Sequence, residues 1–564
     1  MAAAVLRLWP EAQPTIGPVI EDGFYYDFDN LKISEEDFPK IEEEMHKLVK
    51  NWEKFARIEV GVNEAAKIFK DNPYKLELIE EFKKAGEKIT LYKSGEFIDL
   101  CKGGHISNPS KNLKHFKLLS VAGAYWRGSE KNKMLTRIYA TVFPTQRKLD
   151  EYLEKLKEAK KRDHRVLGPQ LDLFVIHEDI GRGLPLLTPK GTIIKNEILS
   201  YERQLEKEYE FQEVWTPHIA KSDIYKATGH WEHYREVMYA PFGIDDEVYV
   251  LKPMNCPHHY MIYASRPRSY KDLPIRLSEP GTCYRYEKSG ELGGLTRVRA
   301  LTIDDSHILM REDQIEQEFD RCIEMINKMF KAFGLNDFYV RLSLADPNDH
   351  AKYIADAKTW KIAGQRLEKI IKKNKLDYIV KEGEASFYGP KIDFMVKDAI
   401  GREWQMSTLQ LDLFMAKRLE LVYTDSKGLK QYPAILHRGL TGSLERTIGI
   451  LIEHYGGNFP TWLAPVQVRV LPITDRSLNW AESVYNKLKT EGLRAELDAR
   501  NETLQAKIRD AQLEKVCYML IVGDKEKRSK TVSKRGRNGK DYGQIKLDRF
   551  IKDIKKEIEE KIIT

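Results

Sequence analysis

Between Thr282 and Leu309 the chain reads TCYRYEKSGELGGLTRVRALTIDDSHIL, its densest run of residues able to do chemistry. Arg285 stands two residues before Glu287, so on a strand both side chains share a face. Small residues follow at Ser289, Gly290, Gly293 and Gly294. A second alternating run then carries Arg297 and Arg299 and ends on Asp305 and His307. As a hairpin, the segment would offer a forked guanidinium for a phosphate, a carboxylate able to accept from an exocyclic amine, and a metal ligand. Those groups suit a nucleotide whose α-phosphate is attacked by a carboxylate. Taken alone, Arg285 and Glu287 are more commonly a surface ion pair.

Four regions are expected to position such residues. Residues 1–143 mix short strands (GFYYDF, KITLYKSGEFIDL) with a charged helix from Ser34 to Asn51. Residues 144–165 form a charged linker helix, with Leu149, Tyr152, Leu153 and Leu156 at helical spacing. Residues 166–462 hold helices and long antiparallel-looking strands. After PTWLAP the pattern changes, and strands alternate with helices over residues 463–564, which argues a small α/β domain. The whole reads as an α+β multidomain protein. Neither a GxxxxGK[ST] loop nor a dinucleotide-type glycine turn is present, so ATP would have to bind on a sheet with arginines.

Size and composition narrow the class. A chain of 564 residues, 42% hydrophobic and 32% charged, has material for several cores. No apolar run approaches the roughly 20 residues of a membrane span, and Arg7 and Pro10 interrupt the start, MAAAVLRLWP, too early for a signal peptide. Five cysteines without tight spacing argue against a disulfide framework and for a reducing, cytoplasmic compartment. The net charge is +7, yet residues 523–556 alone hold thirteen Lys or Arg against five Asp or Glu, a local excess that favours a polyanion such as RNA.

Three phrases in order resemble the signature motifs of class II aminoacyl-tRNA synthetases. EYEFQEVWTPHI, with Pro217, resembles the first, which builds the dimer interface. The Thr282–Leu309 segment resembles the second. GLTGSLERTIGIL resembles the third, with Gly439 and Gly442 allowing close approach to a ligand and Arg446 opening a helix. The Asp-Asp-Ser-His ending, KPMNCPHH and ILHRGL look like the threonyl-tRNA synthetase family. The resemblance implies an antiparallel-sheet catalytic core, a partial α+β editing domain and a carboxy-terminal anticodon-binding domain. It implies a homodimer that joins L-threonine to tRNA(Thr) with ATP and Mg2+.

The resemblance also implies roles. Cys256, His307 and His437 would hold one Zn2+ per subunit; their spacing matches no zinc finger, and any one of them alone is more often a buried side chain without metal. Valine and threonine share a shape, so a Lewis acid that takes amino and hydroxyl groups separates what an apolar pocket cannot. Asp305 would receive the hydroxyl proton, Tyr388 the amino group, and Arg285 would hold the carboxylate near the α-phosphate. ATP would meet Arg285, Glu287, Arg297, Leu301, Gln405, Gln410, Ser443 and Arg446. His230 would help deprotonate the terminal ribose of the tRNA, or simply be a hydrogen-bonded histidine. His258 and His259 read as structural or supporting. Leu301 stands where an aromatic residue often stacks on adenine, and Ile303 where glutamine is common.

Further along, Asn501, Arg509, Glu526 and Arg535 fall where the family reads anticodon bases. Near the start, IGPVIEDGFYYDFD and DLCKGGHI resemble the editing domain, with Asp99, Cys101 and His105 in place and Gly104 for a common proline. The partnering His-x-x-x-His would lie just before MAAAVL, so the chain as given is expected to begin inside that domain and to clear seryl-tRNA poorly. A tRNA-binding paralogue without aminoacylation activity would have lost catalytic arginines, and Arg285, Arg297 and Arg446 are present.

Overall fold

The computed structural model describes residues 1–20, 23–349 and 351–563. These fall into two compact units, residues 1–157 and 158–564. Glu21 and Asp22 of the IGPVIEDGFYYDFD phrase lie outside the described residues.

In the first unit, a five-stranded antiparallel sheet is centred on Gly23–Asp29, Met134–Phe143 and His115–Tyr125. A three-stranded antiparallel sheet joins Ala56–Val60, Ile89–Ser94 and Phe97–Leu100. The charged helix forms as expected: the Ser34 hydroxyl accepts from the Glu36 amide and the Asp37 carboxylate from the Ser34 amide. Phe38, Ile41, Met45 and Leu48, three or four apart, form the buried stripe of Phe38–Lys50. The expected linker helix is Gln146–Arg162.

The second unit is built on an eight-stranded sheet. In chain order its elements are helix α1 (Pro189–Glu208), strands β1 (Gln212–Glu213), helix α2 (Cys256–Ala264), β2 (Ile275–Tyr284), β3 (Ala300–Met310), helix α3 (Ile315–Ala332), β4 (Phe338–Leu344), β5 (Tyr378–Glu382), β6 (Lys391–Lys397), β7 (Glu403–Asp412), β8 (Ala434–Ser443) and helix α4 (Leu444–Tyr455). The strand order is β1-β2-β3-β8-β7-β6-β4-β5, antiparallel except at the two edge pairs. Alternation gives the sheet two distinct faces. Ser306, Ile308 and Met310 of β3, with Leu436 and Leu440 of β8, face a large core that includes Phe319, Ile323 and Ile326 of α3. Leu309 and Ile435 face the other way, onto Cys256 and Tyr260 of α2 and onto Tyr388.

One expectation fails here. β2 stops at Tyr284 and β3 starts at Ala300, so Arg285, Glu287, Arg297 and Arg299 stand in the connection and not on strands. The Arg285 amide still reaches across to the Arg299 carbonyl, but the Glu287 amide donates to the Arg285 carbonyl, a tight turn that takes Glu287 out of the ladder. The shared-face argument for Arg285 and Glu287 therefore does not apply.

The carboxy-terminal part carries a five-stranded sheet in the order Ala495–Leu497, Val468–Pro472, Tyr518–Val522, Thr531–Gly536, Asp541–Lys546. Its first two pairs are parallel and its last two antiparallel. Among the described residues no helix is long and apolar enough to cross a membrane.

Candidate active site

Register brings the three metal-type residues together. His307 on β3 stands opposite His437 on β8, and Cys256 opens α2 above the same face. Their donor atoms all lie within 4.8 Å of one another, and all three residues are buried. The protons on both imidazoles follow from their partners. Glu279 is held down to about 2: burial opposes its charge, but hydrogen bonds from His259 and Thr216 and the Lys252 charge outweigh it. That carboxylate lies 3.3 Å from His259 Nε2, which therefore donates. His259 Nδ1 then accepts from His307 Nδ1 at 2.8 Å, leaving His307 Nε2 with a free lone pair. His437 Nε2 lies 3.2 Å from Asp412 and 3.4 Å from the Tyr260 hydroxyl. Its Nδ1, like His307 Nε2, is buried with no partner among the described residues. Burial holds His307 well below the ordinary histidine range, in the neutral form that ligates, and pushes the Cys256 thiol up. Two buried lone pairs, one imidazole backed by His259 and through it Glu279 and the other by Asp412, together with the thiol form a donor set that fits zinc.

Beside this trio, Asp305 is buried and accepts from Asn255 Nδ2 at 3.2 Å. Its pKa is raised by burial. The Tyr388 ring stacks on His437 at 4.6 Å and its hydroxyl donates to Gln410 at 2.7 Å. His230 accepts no proton readily: burial, with His437 nearby, lowers it to about 3. The Thr228 hydroxyl donates to the Ile224 carbonyl, so His230 Nδ1–H donates to Thr228 at 2.7 Å, and Nε2 is left buried without a partner among the described residues.

In the connection after β2, Arg297 Nε donates to Glu287 at 2.8 Å, and Arg299 Nε to the Glu287 carbonyl at 3.0 Å. Arg285 Nε donates to the Pro253 carbonyl at 3.3 Å. Arg446 stands in the first turn of α4, where Ser443 Oγ accepts its backbone amide. Burial first, then the charge of Arg297, pull the Arg446 guanidinium below its ordinary value. Two cations close enough to repel one another are what an anion would relieve. Gly442 has φ +71 and the Met406 carbonyl 2.9 Å from where a Cβ would stand, so the backbone there needs glycine. Gly439 has only ordinary contacts around it. Gln405 is held by Asp393 and Arg341, and Leu301 is buried with Cys283 and Val298.

The remaining expected residues are less uniform. Arg509 is exposed and paired with Asp510 at 3.1 Å, and Asn501 is exposed. Glu526 is buried, accepting from the Gly523 amide at 3.0 Å and from Gln544 at 2.6 Å, so it closes a helix start rather than facing outward. Arg535 lies on Thr531–Gly536 with Nε buried. In the first unit, Asp99 accepts from the Tyr26 hydroxyl and from the buried Lys75 ammonium. The Gly103 amide donates to Cys101 Sγ at 3.4 Å, and His105 lies against Phe55 and Tyr92. Tyr26, Lys75, Asn255, Glu279 and Asp412 escaped the sequence reading. Lysine in YKLELI looks like any surface lysine until its carboxylate is found 24 residues on.

Comparison with known proteins gives the family. Residues 242–455 match the family described as the tRNA synthetase class II core domain (G, H, P, S and T). Residues 467–557 match the anticodon binding domain, and 89–139 the threonyl and alanyl tRNA synthetase second additional domain. The threonine-tRNA ligase of Thermotoga neapolitana is 48% identical over all of this chain and 87% of its own length. The chain belongs to the threonine-tRNA ligases. The threonine-tRNA ligase of Caldanaerobacter subterraneus is 49% identical over all of this chain and 86% of its own. A crystal structure of the RNA binding domain of threonyl-tRNA synthetase from Cryptosporidium parvum superposes with a TM-score of 0.67 at 35% identity, over 70% of this chain and 98% of that one. As a threonine-tRNA ligase, the chain makes threonyl-tRNA from L-threonine, ATP and tRNA, with Mg2+ accompanying ATP as in synthetases generally. A paralogue without aminoacylation is not favoured.

Proposed function

We propose that Cys256, His307 and His437 hold one zinc ion and that this centre senses the substrate hydroxyl. The observation that carries the reading is the pair of buried imidazole lone pairs beside the Cys256 thiol, with donor atoms within 4.8 Å. When bound, the ion supplies a Lewis-acidic centre that takes amino and hydroxyl groups together, which valine cannot satisfy. Asp305 accepts the hydroxyl proton, and its buried position keeps water from competing. Tyr388, oriented by Gln410, contacts the amino group. Arg285 holds the carboxylate against the α-phosphate, and Glu287, Arg297 and Arg446 hold ATP. Leu301, Gln410 and Ser443 complete that pocket, while Gln405, already engaged by Asp393, acts through the sheet. The low basicity of His230 suits an acceptor that polarises the ribose hydroxyl rather than one that removes its proton outright.

The same reading covers the rest of the chain. Trp215 is 85% exposed at the end of the first motif, an apolar area that supports a homodimer through this face. Anticodon contacts fall to Asn501, Arg509 and Arg535, with Glu526 shaping the loop. Asp99, Cys101 and His105, with Lys75 and Tyr26, belong to the hydrolytic pocket of the first unit. We take the regions 1–143, 144–165, 166–462 and 463–564 as the functional divisions, the boundary between the two compact units falling within the second of them. Five free thiols fit the cytoplasm.

Cys256→Ala tests the zinc assignment. The variant is expected to lose bound zinc, read by elemental analysis, together with threonine-dependent pyrophosphate exchange. Full exchange by a zinc-free variant would refute it.

A further inference from the structure

His164 is buried between two segments that the reaction uses. It opens the helix His164–Gln170. Its Nδ1 lies 2.6 Å from Glu453 Oε1 on α4, and its backbone amide donates to the same oxygen at 3.1 Å. On the other side of the ring, the Leu295 amide points at Nε2 from 3.0 Å. The same nitrogen is 3.2 Å from the Gly293 carbonyl, but that carbonyl already accepts from the Thr296 amide and hydroxyl, whereas an amide only donates. With Nδ1–H given to Glu453, Nε2 offers its lone pair to Leu295. Glu453 Oε2 in turn is 2.5 Å from the Arg402 guanidinium, itself paired with Asp398 at 2.7 Å. A row from Arg402 through Glu453 and His164 thus ends inside the loop between Glu287 and Arg297.

The loop is shaped to receive this ring. Gly294 has φ +61, and a Cβ there would come within 2.3 Å of His164 Nε2, so neither backbone nor space admits another residue. Leu295 is fully buried. Around it the Thr296 amide donates to the Gly293 carbonyl at 2.9 Å and the Gly293 amide to the Arg297 carbonyl at 3.2 Å. Arg297 then reaches Glu287 at 2.8 Å and Glu291 at 3.3 Å. The Leu295 amide on which this turn hangs has the His164 ring as its acceptor.

Asp163, His164 and Glu453 also have donor atoms close enough for a cation. Their partners argue against one. Asp163 is paired with Arg165 at 2.6 Å, Glu453 with Arg402, and both ring nitrogens of His164 are engaged.

We propose that His164 is a positioning residue for ATP: by accepting from Leu295 it holds Gly293–Arg297 so that Arg297 and Glu287 present a formed nucleotide site. The inference rests on the assignment of Glu287 and Arg297 to ATP. Threonine-dependent pyrophosphate exchange by the full chain, with ATP varied, tests it. His164→Ala is expected to raise the KM for ATP about fivefold or more, the loss of one buried hydrogen bond, with the KM for threonine held within about twofold. His164→Gln places a carbonyl where Nε2 stood and should recover most of the affinity. His164→Asn reaches Glu453 but not Leu295 and should not. An unchanged KM for ATP in the Ala and Asn variants overturns the proposal, as do Gln and Asn variants that behave alike. A melting temperature raised by millimolar Mg2+ or Ca2+ and no longer raised in Glu453→Gln would replace it with a cation site. Arg297→Ala, run alongside, separates the two claims. If it too leaves the KM for ATP unchanged, the ATP assignment itself fails; if it raises that KM while the His164 variants do not, only the positioning role is lost.

Discussion

His437 and Arg438 are neighbours on β8, and they face opposite ways. On the Arg438 side, the guanidinium is fully buried and its Nη2 donates to Glu206 at 2.6 Å, Asp304 at 3.0 Å and Ser306 at 2.5 Å. That cluster ties α1 and β3 to β8 through Nη2, and only Nε of the guanidinium is left buried without a hydrogen-bond partner among the described residues. On the His437 side, Cys256, His307 and His437 stand equally buried, yet one nitrogen of each imidazole has no protein partner among the described residues. An unmatched buried polar atom costs about 1–3 kcal/mol, so a fold keeps several of them together only where something else completes them. One strand thus carries a charged cluster that holds the sheet on one face and the proposed metal site on the other, and alternation is what makes the separation possible.

The largest effect that would sharpen this contrast is on the Arg438 side. Arg438→Met leaves Glu206 and Asp304 buried without their cation and is expected to cost about 3–5 kcal/mol in denaturant unfolding. The amino-acid preference of the folded fraction should not change. If preference moved as much as stability, the two faces would not be separate.

Arg446→Lys makes the opposite test. Lysine cannot fork across two phosphate oxygens. Losing one good contact to a charged group is worth about 1.5–3 kcal/mol, so activation is expected to fall on the order of tenfold or more. Unfolding should barely respond, since among the described residues the guanidinium has no ion pair to lose and lysine can still lie over the Trp404 ring. Normal activation by this variant would remove Arg446 from the ATP site.

The smallest effect is expected farthest away, at Arg535→Ala. The KM for tRNA should rise a few-fold, on the order of 1 kcal/mol, and the salt dependence of tRNA binding should flatten. Pyrophosphate exchange should be untouched. Unchanged charging kinetics would mean that the anticodon is read elsewhere.

Sequence made the metal trio and the order of the three motifs legible, because phrases such as KPMNCPHH and DDSHIL carry more than spacing does. It also exposed the strand and helix alternation after PTWLAP, which periodicity alone reveals. What it hid was set by tertiary contact. Arg285 and Glu287 read as strand residues, but a turn and the grip of Arg297 on Glu287 pull them into the loop. Glu526 reads as a base reader until its carboxylate is found capping Gly523. Lys75 and His164 look ordinary in the chain because the carboxylates that bury them, Asp99 and Glu453, are 24 and 289 residues away. The sequence could suggest which groups do chemistry, but not which distant partners fix their protons.

The central claim is that the Cys256, His307 and His437 centre is what distinguishes threonine. Amino-acid-dependent pyrophosphate exchange, run with threonine, serine and valine on the native protein and on protein stripped of metal, tests it directly. The native protein should activate threonine strongly, serine measurably and valine not at all. Serine lacks only a methyl, worth about 1–3 kcal/mol, whereas valine lacks the hydroxyl itself. Stripping should abolish activation of threonine and serine alike, and added zinc should restore both. Metal-free protein that still activates threonine and rejects valine would contradict the account.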